Sequence, residues 1–232
     1  MVNILKKAAS GLLEKMLSSA TVIAVRVWPE ADMHEVDLYL PDVDMDSWDS
    51  IKRLKCKVDE LEYRDYTPVL WNSEMSICTM FIDSGHAGAG SRWVRALKTG
   101  DQILFGAAHA AALPSTKGPV LCLADASALG HFLALKQLTD RSEHPMDVAV
   151  LVHGDYEIPE IFKAENPEFC FIKSSGRAED IDMMEQWCHN KALTEYNSIY
   201  IAGNVSMTKA LKSKLKSNPK VHARIKGYGF WA

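Results

Sequence analysis

Hydrophobic and polar positions alternate in short runs between Thr21 and about Phe105. These runs are rich in β-branched and aromatic residues and are broken by proline and aspartate, which is typical of strands with one buried face. The pattern predicts strands at 21–28, 36–40, 54–58, 76–82 and 102–105. Strands with this spacing favour a small antiparallel β-barrel.

The hydrophobic period changes after a stretch of small and turn-forming residues at 111–119, which we interpret as a linker. Apolar runs then alternate with stretches of helical length. They predict strands at 119–123, 147–152, 169–172, 198–202 and 221–225, and helices at 127–138, 179–191 and 204–216. This alternation is typical of a doubly wound parallel sheet, whose ligands bind at the carboxyl ends of the strands.

The first residues of the chain form a separate segment. Apolar positions recur at helical spacing over 3–19 and predict a short amphipathic helix. We expect this helix to pack along the barrel, with a dimer or partner surface as the alternative. The predicted organisation is an N-terminal helix at 1–19, an antiparallel barrel at 20–114 and an α/β domain at 115–232.

Composition and charge narrow the function classes. The chain has 232 residues, of which 47% are hydrophobic and 24% charged, as in ordinary globular proteins. No apolar stretch is long enough to span a membrane, and lysines interrupt the only segment that resembles a signal peptide, so we expect a cytoplasmic protein. The net charge of −4 hides an acidic stretch at 30–49 and a basic one at 209–226. We interpret the basic stretch as the solvated face of a helix, and nucleic-acid binding is disfavoured because the chain is not basic overall.

The cysteines and histidines do not predict a metal site. The five cysteines are an odd number without CxxC spacing, and the eight histidines are scattered. Cys78, Cys122 and Cys170 lie in apolar runs, so we expect them to be reduced thiols in the core. The HExxH, phosphate-loop and GxSxG motifs are absent from the sequence.

A first candidate motif lies at the end of a predicted barrel strand. Strand alternation places Arg64 and Tyr66 on one face and Thr67 on the other. A guanidinium suits phosphate, a tyrosine ring can lie along a planar ring system, and a threonine hydroxyl can meet a ring nitrogen. The alternative is an ordinary solvent-facing strand end.

A glycine-rich loop at 84–93 is the second candidate. Its glycines allow close approach of the backbone to a ligand, and Ser91 is a suitable N-cap for the helix that we expect to follow. The free N–H groups of a first helical turn form an anion site that a pyrophosphate would fit. The alternative is a flexible loop before a structural helix.

The third candidate is the turn at 123–129, which follows the first strand of the α/β domain and contains Asp125 and Ser127. A nucleotide would dock at such a strand-to-helix turn. The turn lacks the GxGxxG pattern, so it does not by itself indicate a nucleotide.

Together these features resemble the siderophore-interacting proteins, which are FAD-binding ferric-chelate reductases of the ferredoxin-reductase superfamily. Arg64, Tyr66 and Thr67 match the Arg-x-Tyr-[Ser/Thr] of the family's flavin strand. The loop at 84–93 and Gly100-Asp101 are similar to its pyrophosphate loop. Three further segments resemble family motifs in the same order: 124–130, 200–204 and 226–231.

The resemblance implies a flavin-binding barrel followed by a nucleotide-binding α/β domain, with FAD held between them. FAD would be bound by Arg64, Tyr66, Thr67, Ser84, Gly85, Gly88, Ala89, Gly90, Ser91, Trp93, Asp125 and Ser127. Thr67, near flavin N5, and Trp231 would be the catalytic residues. NAD(P)H or a ferredoxin would reduce the flavin, which would pass electrons singly to Fe(III) in a siderophore or another ferric chelate. Basic side chains near the motifs are candidates for binding the anionic chelate: Lys52, Lys55, Arg224 and Lys226.

Some positions depart from the family pattern. Val69 stands where many members have a second arginine, and Pro68 lacks a backbone donor. Ala126, Gly130 and Asn204 replace an acid, a proline and a glutamate of the nucleotide-domain motifs, so the pyridine-nucleotide site departs most. The segment that would cover the flavin offers two aromatic candidates, Tyr228 and Trp231.

Two other functions fit the same residues. One is an FAD-binding electron-transfer protein that passes electrons from a nicotinamide to a protein partner or another small acceptor. The other is a siderophore-binding flavoprotein without pyridine-nucleotide turnover.

Overall fold

The structure, a computed structural model, describes residues 17–107, 110–154 and 156–231, and it divides into two compact units. The first unit contains the described residues up to Val27 and the segment Met33–Ala112. The second contains Trp28–Asp32 and the described residues from Leu113 onward. Most of the helix expected at 3–19 lies outside the described residues. Its expected end is wrong, because Ser18 and Ser19 already belong to the first strand.

The first unit is an antiparallel sheet whose end strands, β4 and β5, follow one another in the chain. The sheet order is β4-β3-β7-β1-β2-β6-β5. Alternate positions of β2 and β3 are buried, as the sequence pattern predicts, and they form a core with residues such as Val36, Leu38 and Cys56. The strands are β1 Ser18–Val27, β2 Met33–Tyr39, β3 Leu54–Asp59, β4 Glu62–Tyr66, β5 Pro68–Asn72, β6 Ile77–Asp83 and β7 Gln102–Ala107.

Helix α1, Ala89–Ala96, connects β6 to β7. It begins earlier than expected, so the prediction that Ser91 is its N-cap is wrong. Gly88 occupies that position in an extended conformation with φ 176°, and Ser91 lies in the first turn. The small residues Ala89 and Gly90 allow this earlier start, because a larger residue at position 90 would meet the side chain of Tyr66.

The second unit contains a parallel five-stranded sheet of order β10-β9-β8-β11-β12. All of β8 is buried, which explains its continuous apolar sequence. The chain builds outward from β8 through β9 and β10 and then returns to place β11 on the other side of β8, which makes the carboxyl ends of β8 and β11 the switch point of the sheet. The strands are β8 Val120–Asp125, β9 Met146–Val152, β10 Phe169–Lys173, β11 Ser198–Asn204 and β12 Arg224–Trp231.

The helices of the second unit pack on this sheet. After β8, a 3₁₀ turn at Ala126–Ala128 leads into α2, Leu129–Leu138. The others are α3 Glu160–Glu165, α4 Arg177–His189 and α5 Val205–Ser217. In the basic stretch, Lys209, Lys214 and Lys216 are exposed on α5, as expected. Within the described part of the chain, no helix has the length and apolar character that crossing a membrane requires.

Two elements of this unit differ from the sequence prediction. The last strand was expected at 221–225, but it runs over Arg224–Trp231 because it pairs in parallel with β11 along that whole length. Helix α3 was not predicted, since it has six residues and Phe162 is its one buried residue, which is too little for a helical period. The Phe162 ring packs edge-on against Trp28, at 5.0 Å between centroids.

The cysteines are free thiols in two different environments. Cys56, Cys78, Cys122 and Cys188 are buried, whereas Cys170 is exposed. The expectation of a core thiol is therefore wrong for Cys170, because β10 is an edge strand of the sheet. Burial raises the pKa of Cys56 and of Cys188 to about 12, so these thiols stay protonated at neutral pH.

We expect one rapidly reacting thiol per folded chain. The thiolate is the reactive form, and Cys170 is the one cysteine that is not buried. An aromatic disulfide reagent at mildly alkaline pH should therefore modify one of the five thiols in the native protein and all five in denaturant. The Cys170→Ser variant should lose the native reaction, and a rapid reaction that survives this substitution would contradict the assignment.

Candidate functional site

Strand β4 places Arg64 and Tyr66 on one side of the first unit. They lie opposite Cys56 and Leu54 of β3, two positions apart on the same face. The Tyr66 ring is stacked on Trp93 of α1, with 5.6 Å between ring centroids and 10° between planes. Burial raises the pKa of the Tyr66 hydroxyl well above its usual value, so this group remains a neutral hydroxyl.

Arg64 is held by contacts that an anion could replace. Its guanidinium donates to the backbone oxygen of Tyr63, at 2.8 Å, and to the Glu62 carboxylate, at 3.0 Å. The Arg64 and Glu62 side chains are 47% and 49% exposed. A surface pair of this kind contributes only about 0–1 kcal/mol, so exchanging the carboxylate for a phosphate costs little.

Gly90 brings the start of α1 against these side chains. A Cβ atom on Gly90 would lie 2.4 Å from the Tyr66 hydroxyl oxygen and 3.5 Å from Cγ of Arg64. Only a residue without a side chain fits this space. The N-terminus of α1 is therefore adjacent to both Arg64 and Tyr66.

This helix N-terminus has the features of an anion site. Gly88 gives it no side-chain cap, and its first turn contains no acidic residue. The first N–H groups of a helix lack intrahelical acceptors. The hydroxyls of Ser84 and Ser91 are also buried and, among the described residues, have no hydrogen-bond partner. An unsatisfied buried hydroxyl costs about 1–3 kcal/mol, so both serines favour a bound acceptor.

The remaining residues of the loop shape it. Thr67, half-buried, is the single residue between β4 and β5. The Gly85 N–H donates to the Asp83 carboxylate, at 3.0 Å, and Arg95 donates to the backbone oxygen of Ser84, at 2.7 Å. Sequence reasoning missed Arg95. Its place four residues after Ser91 on the same helix was the available signal.

In the second unit, Asp125 lies at the end of β8 and is 4% exposed. One carboxylate oxygen accepts from the backbone N–H and the hydroxyl of Ser127. The other accepts from the backbone N–H of Asn204, at 2.6 Å, and from Nε1 of Trp231, at 3.2 Å. Asp125 thus connects the carboxyl ends of β8, β11 and β12.

Gly203 is required beside Asp125; sequence reasoning placed it in the motif at 200–204 but did not count it among the site residues. Its φ is 129°, and a Cβ atom there would lie 2.5 Å from Cγ and from both carboxylate oxygens of Asp125. The sequence signal was a glycine at the end of a buried strand, which often marks a close approach.

A cavity of about 70 Å³ opens beside Asp125 at these strand ends. Asp180 lies in its wall and accepts from the backbone N–H groups of Ser175 and Gly176, at 3.2 and 3.4 Å. The lining is Asp125, Leu151, His153, Asp180, Ile181, Asn204, Ser206, Met207 and Trp231.

The two aromatic candidates of β12 differ in their surroundings. The Tyr228 ring lies 5.0 Å from His131 and 6.4 Å from Tyr200, between ring centroids. Trp231, at the end of the strand, donates to Asp125 and lines the cavity. Trp231 is therefore the one that lies with the strand-end polar groups.

Each of the four basic candidates for chelate binding contacts residues of its own unit. Lys52 pairs with Asp49, at 3.2 Å, and Lys55 with Asp65, at 2.8 Å, in the first unit. In the second unit, Arg224 reaches the Ser115 hydroxyl, at 3.5 Å.

Lys226 is half-buried. Its ammonium donates to the backbone oxygen of Leu113, at 2.8 Å, and to the Tyr200 hydroxyl, at 2.9 Å. Burial, followed by the nearby Arg224 charge, lowers the pKa of Lys226.

Solved structures share this architecture over nearly the whole chain. A siderophore utilization protein from T. fusca has a TM-score of 0.70 at 18% identity, over 93% of both chains. The siderophore-interacting protein of Aeromonas hydrophila has a TM-score of 0.71 at 13% identity, over 93% of this chain and 91% of its own. A ferredoxin NADP⁺ reductase from Neisseria gonorrhoeae, solved with FAD and NADP bound, has a TM-score of 0.67 at 17% identity, over 93% of this chain and 99% of its own.

The chain has the ferredoxin-reductase fold. Comparison of the sequence with protein-family models and with curated proteins finds no match. In this fold, a barrel precedes a parallel α/β domain, and the present chain follows that order. The expected fold class is therefore confirmed, as is the structural resemblance to siderophore-interacting proteins.

Proposed function

We propose that this protein is an FAD-dependent oxidoreductase that reduces Fe(III) in siderophores or other ferric chelates to Fe(II), and so releases the iron. The observation that carries the proposal is the cradle in the first unit. It combines an uncapped helix N-terminus, an exposed arginine whose ion pair can be exchanged and a half-buried tyrosine ring, all brought together at Gly90.

The residues of this cradle fit FAD. Arg64 and the first turn of α1 would hold the pyrophosphate, with Ser84 and Ser91 as further donors. Tyr66 would lie along the isoalloxazine ring, and Thr67 would be near its N5 edge. FAD supplies the redox chemistry, because it takes up two electrons and releases them one at a time.

Reduction would release the iron because siderophore ligands bind Fe(III) more tightly than Fe(II). The hard oxygen donors of siderophores favour the trivalent ion, so the chelate loses affinity once the iron is Fe(II). One two-electron-reduced FAD converts two Fe(III) ions to Fe(II). Lys52 and Lys55, whose ion pairs are exposed, are suited to attract an anionic chelate, and Arg224 and Lys226 are the further candidates. The electrons would come from NAD(P)H or from a ferredoxin.

The visible spectrum of the purified protein is the first test. We expect flavin bands, either as purified or after addition of FAD to the colourless protein. The flavin is then reduced chemically without oxygen, and a ferric siderophore is added with a chromogenic Fe(II) chelator. Return of the flavin bands together with Fe(II) formation supports the reductase.

Three other outcomes of this test would each contradict a different part of the proposal. Failure to bind FAD rejects the flavoprotein. Reoxidation by quinones but not by ferric chelates indicates an electron-transfer protein with another acceptor. Binding of the siderophore without Fe(II) formation indicates a non-turnover flavoprotein.

A further inference from the structure

The switch point of the parallel sheet is the expected place for a nucleotide phosphate, because strand-end N–H groups gather there. In this chain two of those groups already have an acceptor. The N–H groups of Ser127 and Asn204 donate to the carboxylate of Asp125, at 3.0 and 2.6 Å. A bound phosphate would have to displace this carboxylate to reach them.

The carboxylate is fixed in that place. Asp125 is 4% exposed and also accepts from the Ser127 hydroxyl and from Trp231. Its three terminal atoms lie 2.5 Å from the position that a Cβ of Gly203 would take, so the bare glycine backbone leaves the space that the carboxylate needs. The contacts with Asn204 and Gly203 join β8 to β11, so the position of the carboxylate is fixed by the fold as well as by the local turn at Ser127.

The negative charge around the adjoining cavity also disfavours a bound phosphate. The lining carries two buried carboxylates, Asp125 and Asp180, and none of the described residues that line it is lysine or arginine. Like charges in a site of low polarity repel strongly. Among the described lining residues, a pyrophosphate bound here would meet two carboxylates and neither lysine nor arginine.

We infer that Asp125 is a specificity residue that excludes the pyrophosphate of a pyridine nucleotide from the β8 turn. It does so by taking up the strand-end donors and by its negative charge. The consequence for the electron donor rests on the proposed function: the flavin receives its electrons from a donor that does not place a pyrophosphate at this turn. The binding statement itself does not depend on iron reduction.

Calorimetric titration of the full chain, loaded with FAD, with ADP and with NADP⁺ tests this inference. Both ligands should bind the wild-type protein no more tightly than the millimolar range. The Asp125→Asn variant, which removes the charge at similar size, should bind them at least tenfold more tightly. Asp180→Asn is the matched control, because it removes the charge of the other buried acid but leaves the strand-end donors occupied by Asp125. We expect a smaller gain, of less than threefold.

A second variant covers the case in which Asp125→Asn does not fold, as judged by its thermal melt. Asp125→Ser has a shorter side chain that still accepts one hydrogen bond, and we expect the same gain in affinity. Micromolar binding by the wild-type protein, or no gain in either folded variant, would overturn the inference. Flavin content and Fe(II) formation are measured on the same samples with chemical reductant, so failure of the proposed function is distinguished from failure of this inference.

Discussion

The Gly90→Ala substitution should weaken FAD binding about tenfold to a hundredfold. The new Cβ would lie 2.4 Å from the Tyr66 hydroxyl oxygen. Tyr66 cannot move aside freely because its ring is stacked on Trp93. Either the ring or the start of α1 must shift, and both belong to the proposed cradle. Overpacking of this kind costs about 1–3 kcal/mol, which corresponds to the expected loss of affinity.

The measurement is titration of the flavin-free protein with FAD, followed by visible absorbance. A rescue variant separates the steric effect from general damage. Tyr66→Phe removes the hydroxyl that the new Cβ meets and keeps a ring to stack on Trp93. The Gly90→Ala/Tyr66→Phe double variant should therefore bind FAD more tightly than Gly90→Ala alone. Equal affinities of the single and double variants would contradict the steric explanation.

Most elements of both units could be predicted because burial leaves a periodic signal. The exceptions are β5 and α3, which have five and six residues. Strand β2 alternates between buried and partly exposed positions, and β8 is buried throughout, so each sequence shows the pattern of its own sheet type. The predicted bounds of the helix after β11, 204–216, differ by one residue at each end from those of α5. Asn204 caps α5 by accepting from the N–H groups of Ser206 and Met207, at 2.9 and 3.1 Å. This capping role explains why asparagine is suitable at position 204, where the siderophore-interacting proteins that the chain resembles have glutamate.

The candidate site was only partly predictable because its decisive contacts join distant parts of the chain. In the sequence, Asp125 and Ser127 form an ordinary capped turn. What distinguishes Asp125 is its contact with Asn204, 79 positions away, and with Trp231, 106 positions away. Similarly, the error at the start of α1 arose because the space available to Gly90 is set by Tyr66 on another strand. Local patterns do not report such contacts.

A Gly203→Ala substitution should destabilise the second unit by about 2–6 kcal/mol. Two independent costs contribute to this value. The φ of 129° is strained for any residue with a side chain, which costs about 1–3 kcal/mol. The new Cβ would also lie 2.5 Å from the buried Asp125 carboxylate, and relieving that overlap costs about another 1–3 kcal/mol.

Chemical denaturation of the variant and of a matched control measures this effect. Gly154 has a positive φ of 72° and lies in the same unit, but a Cβ there would have no neighbour within 4 Å. Gly154→Ala should therefore lose only about 1 kcal/mol, from backbone strain alone. The difference between the two variants contains the contact with Asp125 together with the greater backbone strain at Gly203. Adding Asp125→Ser to Gly203→Ala should recover part of the loss, because the shorter side chain leaves room for the methyl group; equal losses at Gly203 and Gly154 would show that the carboxylate is not fixed against β11.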